Sequence, residues 1–280
     1  MTAVELRGVT KDFTLGMRGL KLRAVDDLTL RLEAGWIHGL LGANGSGKST
    51  VLKMLLGLVQ PTVGDCALFG VPSASADARR RVGFLPEAPY FHAYLTGLEL
   101  VEFHGKLSGL SGRKLNERVM RAIESTGMKS AAERPIGTYS KGLLQRIGMA
   151  QALVDEPRLL ILDEPMAGVD LDGVEAMREL LLRLKFEGAT ILLTSHAMSE
   201  VEALCDRVAL LDRGRLRWEG ALAECRPDEA AGVVVGELGP EDIAELEEWF
   251  ARRGCALVAA SRRPEGLERA LAERRGSGRD

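Results

Sequence analysis

The sequence has 280 residues, of which 46% are hydrophobic and 28% are charged, so it can bury a full globular core and a disordered chain is not expected. A formal net charge of -3 and a pI near 5.9 argue against general binding to nucleic-acid backbones, because such binding favours a basic surface. The four cysteines are far apart in the sequence, so we expect the protein to reside in a reducing cytosol. The chain has neither a signal-peptide start nor a run approaching about 20 uncharged apolar residues, so we do not expect this chain alone to insert into a bilayer.

A glycine-rich loop lies between a short apolar run, residues 36–41, and a segment of helical composition, residues 49–56. Triphosphate binding needs many donors near crowded oxygens, and glycines let the backbone approach while N–H groups and a helix N-terminus face the anion. Lys48 would reach the β- and γ-phosphates, and the Ser49 hydroxyl would ligate magnesium. A chance glycine-rich turn is the alternative, and the flanking strand and helix argue against it. The predicted ATP-binding loop consists of Gly42, Ala43, Asn44, Gly45, Ser46, Gly47, Lys48, Ser49 and Thr50.

Two further apolar runs, residues 159–162 and 189–194, predict buried strands that end in polar residues. Ligands of open α/β sheets bind beyond the carboxyl ends of strands, so we expect these ends and the loop to converge on one nucleotide. Adjacent strand residues point in opposite directions, so Asp163 would hold magnesium, through water, while Glu164 polarises the attacking water as general base. A solvated strand end without a catalytic role is the alternative.

A histidine follows the second of these runs. His196 can donate a hydrogen bond to the γ-phosphate and so report whether that phosphate is present. A lone histidine is usually structural, but the end of a predicted core strand favours the functional interpretation.

The rest of the chain predicts two additions to the nucleotide-binding core. Residues 88–155 are mostly of helical pattern, with a capping box at residues 96–99, which predicts an inserted helical subdomain. Beyond residue 226, an amphipathic helix over residues 240–250 and a strand over residues 255–259 predict a small C-terminal α/β appendage. We therefore expect one ATPase domain over residues 1–225 and an accessory segment over residues 226–280.

Several separate motifs, in one characteristic order, resemble those of the nucleotide-binding subunit of an ABC transporter. The loop ending at Thr50 resembles the Walker A loop, residues 161–165 the Walker B segment, residues 167–170 the D-loop and residues 194–196 the switch histidine. Residues 139–146, here named the signature segment, resemble the loop that is unique to this family. The resemblance covers about residues 3–222.

The resemblance implies an α/β fold with a P-loop NTPase core and a mixed sheet, and an ATP- and Mg²⁺-dependent ATPase that powers transport. It also implies two partners: a second ATPase subunit, in a homodimer, and a polytopic membrane permease. The ATPase subunits would bind the permease at the cytoplasmic face of the membrane. Ser140 and Gly142 would cap the γ-phosphate of ATP held by the opposite subunit, whereas an ordinary N-cap serine is the alternative. A soluble ABC-type ATPase acting in translation or on DNA is disfavoured by a single nucleotide module without a long heptad arm or a basic excess.

This chain departs from the family pattern at three sites. The signature segment has Lys141 and Leu143 where the family usually has glycine and glutamine, and Glu87 takes the place of the usual Q-loop glutamine. Glu87 would ligate magnesium or act only in a hinge. Phe13 stands where the family commonly stacks a tyrosine on adenine, so it is expected to stack on the base or else to be a core residue.

A cluster of aromatic residues directly follows Glu87. Tyr90, Phe91 and Tyr94, with Leu95 and Leu98, would line a groove that accepts a coupling helix of the membrane subunit, and packing inside the helical subdomain is the alternative. Glu87, the signature variant and the C-terminal segment together resemble bacterial export-type ATPases, so we expect export.

Overall fold

A computed structural model describes residues 1–15, 20–195 and 198–221 of the chain, together with residues 233–235 and 259–261. The described residues group into two compact units. Unit 1 comprises Met1–Glu5, Arg31–Ile37 and Ala67–Thr194. Unit 2 comprises Leu6–Leu30, His38–Cys66 and the described residues from Ser195 onwards.

Two long strands, β1 (Thr2–Leu15) and β2 (Leu20–Glu33), open the chain. With β4 (Val63–Leu68) and β5 (Val71–Pro72) they form a sheet of order β2-β1-β4-β5. Along the second half of β2 buried residues such as Val25, Leu28 and Leu30 are separated by more exposed ones. This alternation is typical of a strand with one face on the core and one toward water.

In unit 1, three parallel strands run through the core: β6 (Val82–Leu85), β7 (Leu159–Asp163) and β8 (Thr190–Ser195). β7 lies between the other two, with Leu162 opposite Leu85 on one side and Leu193 on the other. The nearly continuous buried runs of β7 and β8 are expected for parallel strands covered on both faces. The strands predicted at residues 159–162 and 189–194 are confirmed.

The helices of unit 1 are α2 (Ala76–Arg79), α3 (Gly97–Leu107), α4 (Gly112–Ser125), α5 (Lys141–Leu153) and α6 (Leu171–Phe186). α3, α4 and α5 pack against one another. The capping box before α3 is confirmed, because Glu99 N donates to Thr96 Oγ1 at 3.2 Å and Thr96 N donates to Glu99 Oε2 at 2.8 Å. The helical content predicted for residues 88–155 is present, and its status as an inserted subdomain stays a prediction.

Unit 2 carries β3 (Ile37–Leu41) from His38 onwards, α1 (Lys48–Leu55), α7 (Met198–Leu204), β9 (Arg207–Asp212) and β10 (Arg215–Ala221). β3 pairs with β9 in parallel, and β9 pairs with β10 antiparallel, so the sheet is mixed as expected. The strand and helix predicted on either side of the glycine-rich loop are confirmed to within one residue.

Near the C-terminus, β11 (Val233–Val235) and β12 (Ala259–Ser261) pair in parallel. The helix predicted over residues 240–250 and most of the strand predicted over residues 255–259 lie outside the described residues. The domain boundary at residue 225 stays a prediction. No helix within the described ranges is long and apolar enough to cross a membrane.

Candidate functional site

The predicted phosphate loop joins the end of β3 to the start of α1 in unit 2. Gly42, Gly45 and Gly47 have φ angles of 147°, 79° and 107°, in the left-handed region that favours glycine. A Cβ added to Gly47 would lie 2.6 Å from the carbonyl oxygen of Ala24, and one added to Gly42 would collide with the carbonyl oxygen of Leu211. At Gly42 and Gly47 a side chain would therefore clash with a backbone carbonyl oxygen as well as strain the backbone.

Lys48 is the first residue of α1 and is buried. Its ammonium donates to the carbonyl oxygen of Gly42 at 2.5 Å and to that of Ala43 at 3.4 Å, so it lies over the loop that precedes it. The next residue, Ser49, is exposed. The fully described helix α1 has no acidic residue in its first turn, so no side chain there offsets the positive end of the helix dipole. This arrangement favours an anion at the loop.

The acid pair of unit 1 is held by a buried threonine. Thr194 Oγ1 donates to Asp163 Oδ1 at 2.6 Å, and Glu164 N donates to Thr194 Oγ1 at 2.9 Å. Glu164 has a φ of 49°, which is uncommon outside glycine and often marks a functional constraint. One hydroxyl therefore fixes both the carboxylate of Asp163 and the unusual backbone of Glu164. The sequence interpretation included Thr194 in the switch motif but assigned it no role of its own.

We expect Thr194→Val to lower kcat about tenfold and leave the KM for ATP nearly unchanged, because the acid pair loses its common partner. Loss of the buried hydrogen bonds should also lower the free energy of unfolding by about 1–2 kcal/mol. Steady-state ATPase assays and chemical denaturation measure the two effects. Thr190→Val is the matched control: Thr190 is also buried on β8, and its Oγ1 accepts from Gly35 N at 2.9 Å. An equal loss of kcat in the control would show that Thr194 acts only through stability.

A second link in unit 1 joins α5 to the segment that carries Glu87. Gln145 is fully buried on α5, and its Nε2 donates to the backbone oxygen of Glu87 at 3.0 Å. Gln145 Oε1 is buried and has no hydrogen-bond partner among the described residues. The carboxylate of Glu87 belongs to an exposed side chain, and its role as a metal ligand stays a prediction. Gln145 lies in the signature segment, but the local pattern did not predict its role because its partner, Glu87, is 58 residues away.

Ser140 is the N-cap of α5, with its Oγ accepting from Leu143 N at 3.3 Å. This is the structural role that the sequence left open, and it places Ser140 and Gly142 at the positive end of a helix whose first turn, described in full, is free of acidic residues. Lys141 lies against the predicted D-loop: a Cβ added to Gly168 would collide with the Lys141 ammonium nitrogen. Capping of a second subunit's γ-phosphate stays a prediction.

Phe13 and Lys11 lie on the same face of β1 in unit 2. The Lys11 ammonium is 5.0 Å from the centroid of the Phe13 ring and donates to the Gln60 carbonyl oxygen at 2.8 Å. Phe13 is half-buried, so part of its ring remains accessible for stacking. His196, the predicted γ-phosphate sensor, lies outside the described residues.

The two tyrosines of the aromatic cluster after Glu87 lie on the surface of unit 1. Tyr90 is 91% exposed and Tyr94 is 77% exposed, and the Tyr94 ring stacks on His92 with centroids 5.4 Å apart. Phe91, Leu95 and Leu98 are half-buried. The alternative that the two tyrosines pack inside the helical region is therefore wrong, because two large rings so exposed contribute little to a core.

Unit 1 also contains a surface cavity of about 710 Å³. It lies between α2, the start of β6, the end of α3 and the end of α5, and its charged lining includes Arg79, Arg80 and Asp155. Burial raises the pKa of Asp155 and lowers the pKa of His104, which also lines the cavity. The sequence did not reveal this cavity because its walls come from four elements that are distant along the chain.

The described residues contain no group of three or more His, Cys, Asp or Glu side chains that could hold a metal ion. The oxygen donors of Ser49 and Asp163 nevertheless suit Mg²⁺, which takes hard oxygen ligands and is commonly held by one or two carboxylates together with substrate phosphates. Thr194 orients the Asp163 carboxylate through Oδ1. Each of these oxygen donors is therefore of the type that magnesium takes, and a magnesium ion shared by Ser49 and Asp163 stays a prediction.

Comparison with known proteins places the chain in a family. Residues 25–167 match the ABC transporter family. An uncharacterized ABC transporter ATP-binding protein of Synechocystis sp. is 38% identical over 85% of this chain and 68% of its own length. Nod factor export ATP-binding protein I of Burkholderia lata is 37% identical over 89% of this chain and 80% of its own length.

Solved structures give the same result. A dimeric ATP-binding cassette in a post-hydrolysis state, bound to ADP and Pi, has a TM-score of 0.72 and 26% identity over 78% of this chain and 98% of its own. An ATP-binding subunit of an ABC transporter has a TM-score of 0.72 and 25% identity over 97% of this chain and 98% of its own. The chain therefore belongs to the ABC transporter family, as an ATP-binding and ATP-hydrolysing subunit.

Proposed function

We propose that this chain is the ATPase of an exporter, forming a homodimer on binding ATP and powering a separate polytopic permease at the cytoplasmic face of the membrane. The observation that carries the ATPase chemistry is the Asp163–Glu164 pair fixed by Thr194. A binding module without turnover has no need for a general base held in an unusual backbone conformation. Binding of ATP closes the dimer, and hydrolysis reopens it.

Within one subunit, the loop N–H groups and Lys48 would bind the triphosphate. Bound magnesium would supply charge stabilisation at the phosphate oxygens, with Ser49 and Asp163 holding it and Glu87 as a further candidate ligand. Glu164 would take a proton from the attacking water. His196 would contact the γ-phosphate. Loss of this contact on hydrolysis would be one signal for the dimer to reopen.

The second subunit completes the site. Ser140 and Gly142 of one chain would cap the γ-phosphate bound by the other, because α5 begins there without a nearby acidic residue. The dimeric cassettes among the similar structures support this arrangement. Each complete ATP site then consists of residues from both chains, and its assembly depends on ATP.

Two observations support an export system and its permease. The relatives include several Nod factor export ATP-binding proteins. Unit 1 also presents exposed apolar side chains suited to a protein partner: Tyr90 and Tyr94 after Glu87, and Phe103 and Leu107 on α3 at 52% and 68% exposure. Leu107 also lines the cavity of unit 1. We assign these side chains and the cavity to permease docking.

Affinity purification of the tagged chain from detergent-solubilised membranes tests this function, and we expect a polytopic membrane protein to co-purify. Tyr90→Glu with Tyr94→Glu should reduce its recovery at least tenfold, because two charges enter an apolar contact, while ATP affinity stays within twofold. Phe186→Glu is the control, since Phe186 is a 93% exposed aromatic residue on α6. Recovery of only ribosomes or DNA with the wild-type chain would contradict the transport function.

A further inference from the structure

A chain of ion pairs, here named the ion chain, lies in unit 2 beside the phosphate loop. It consists of Asp12, Arg23, Asp26 and Arg215. Arg23 donates from Nε to Asp12 Oδ1 at 2.9 Å and from Nη1 to Asp26 Oδ1 at 3.0 Å. Arg215 donates from Nε to Asp26 Oδ2 at 2.7 Å. The two carboxylates are partly buried, with side chains 19% and 16% exposed. Hydrogen bonds from Arg23 lower the pKa of Asp12, and those from Arg215 and Arg23 lower the pKa of Asp26, so both stay ionised at neutral pH.

One end of the ion chain is fixed to the phosphate loop through Gly214, in the turn between β9 and β10. Asp26 N donates to Gly214 O at 2.9 Å, and Gly214 N donates to Ser46 O at 2.8 Å. The Gly214 Cα lies 3.4 Å from the position of a Cβ on Gly47. The turn therefore rests directly on the loop, and the bond to Asp26 ties it to β2.

The other end of the ion chain lies next to Phe13. Asp12 immediately precedes Phe13 on β1, and its N–H donates to Thr62 Oγ1 at 3.0 Å. Arg23 is the one group in the ion chain that bonds both Asp12 and Asp26. The side chain of Arg23 thus joins the strand that carries the aromatic ring to the strand that contacts the phosphate loop.

We propose that Arg23 is a positioning residue. It holds Phe13, on which adenine would stack, and the phosphate loop at the separation required by one ATP molecule. The inference rests on the proposed function, in which the loop binds the triphosphate, and on the prediction from the sequence that Phe13 stacks on the base. A ligand that occupies two subsites at once gains affinity when their separation is fixed before binding, because less ordering entropy is lost. A ligand that occupies the loop alone gains nothing from Arg23.

The test is Arg23→Ala in the full chain, with ATP and inorganic tripolyphosphate as the two ligands. We expect the Kd and KM for ATP to rise about fivefold, within the range of a charge network at a partly exposed site. The Kd for tripolyphosphate should not change, and kcat at saturating ATP should stay within twofold because Arg23 does not lie at the acid pair. Arg31→Ala is the matched control: Arg31 is on the same strand and pairs with Glu5 at 2.9 Å.

The outcomes separate the possible explanations. An unchanged ATP affinity in Arg23→Ala overturns the inference. Equal losses for ATP and tripolyphosphate, or an equal loss in Arg31→Ala, also overturn it, since a general structural effect then accounts for the result. Failure of the wild-type chain to bind ATP would instead contradict the proposed function itself. Thermal melting of each variant shows that the proteins compared are folded.

Discussion

Lys48→Ala should bind ATP about 100-fold more weakly than the wild-type chain. The Lys48 ammonium lies over the loop, bonded to the Gly42 carbonyl oxygen, and would transfer its hydrogen bonds to the phosphates when ATP binds. Losing charge-assisted hydrogen bonds of this kind costs about 3 kcal/mol, which corresponds to the expected factor. Isothermal titration calorimetry with ATP measures the effect directly, and ATPase turnover at cellular ATP concentrations should fall with it.

Lys53→Ala is the control for this experiment, because Lys53 lies on the same helix and is exposed. It removes the same formal charge from α1 without touching the loop, so its ATP affinity should stay within twofold of the wild type. If Lys53→Ala and Lys48→Ala lose affinity equally, the assignment of Lys48 to the phosphates is wrong and only the net charge of the unit matters.

The elements that flank the predicted site were predictable because their signals are local. The apolar run before the loop, the glycines and the following helix all lie within residues 36–56, and the structure places β3 and α1 there. The capping box at Thr96 and Glu99 is likewise a pattern of four residues. In each case neighbouring residues determine the backbone, so periodicity and capping chemistry are sufficient.

The contacts that hold the predicted site residues within each unit were not predictable because their partners are far apart in the chain. Thr194 and Asp163 are 31 residues apart, and Gln145 and Glu87 are 58 apart. A single sequence gives the direction of a strand but not which hydroxyl of one strand meets which carboxylate of the next. The register of β7 against β8, with Asp163 opposite Thr194, supplies that information. Arg215 and Asp26, 189 residues apart, were missed for the same reason.

Glu164→Gln should hydrolyse ATP at below roughly 1% of the wild-type rate, because the amide cannot take the proton of the attacking water and general-base catalysis contributes about 10²–10⁴-fold. ATP affinity should be retained, since glutamine has the same size and the backbone N–H of Glu164 still donates to Thr194. With ATP bound and not consumed, closed dimers should accumulate. Phosphate release, nucleotide binding and size-exclusion chromatography with and without ATP measure the three effects.

The control for this variant is Glu179→Gln, which makes the same chemical change at an exposed position on α6. It should hydrolyse ATP at the wild-type rate and show no ATP-dependent accumulation of dimer. Combining Glu164→Gln with Ser140→Arg then separates hydrolysis from assembly, because a bulky side chain at the start of α5 would block capping of the γ-phosphate across the dimer. The double variant should still bind ATP but remain monomeric. Full turnover by Glu164→Gln would contradict the assignment of the general base, whereas dimers in the double variant would contradict the composite site.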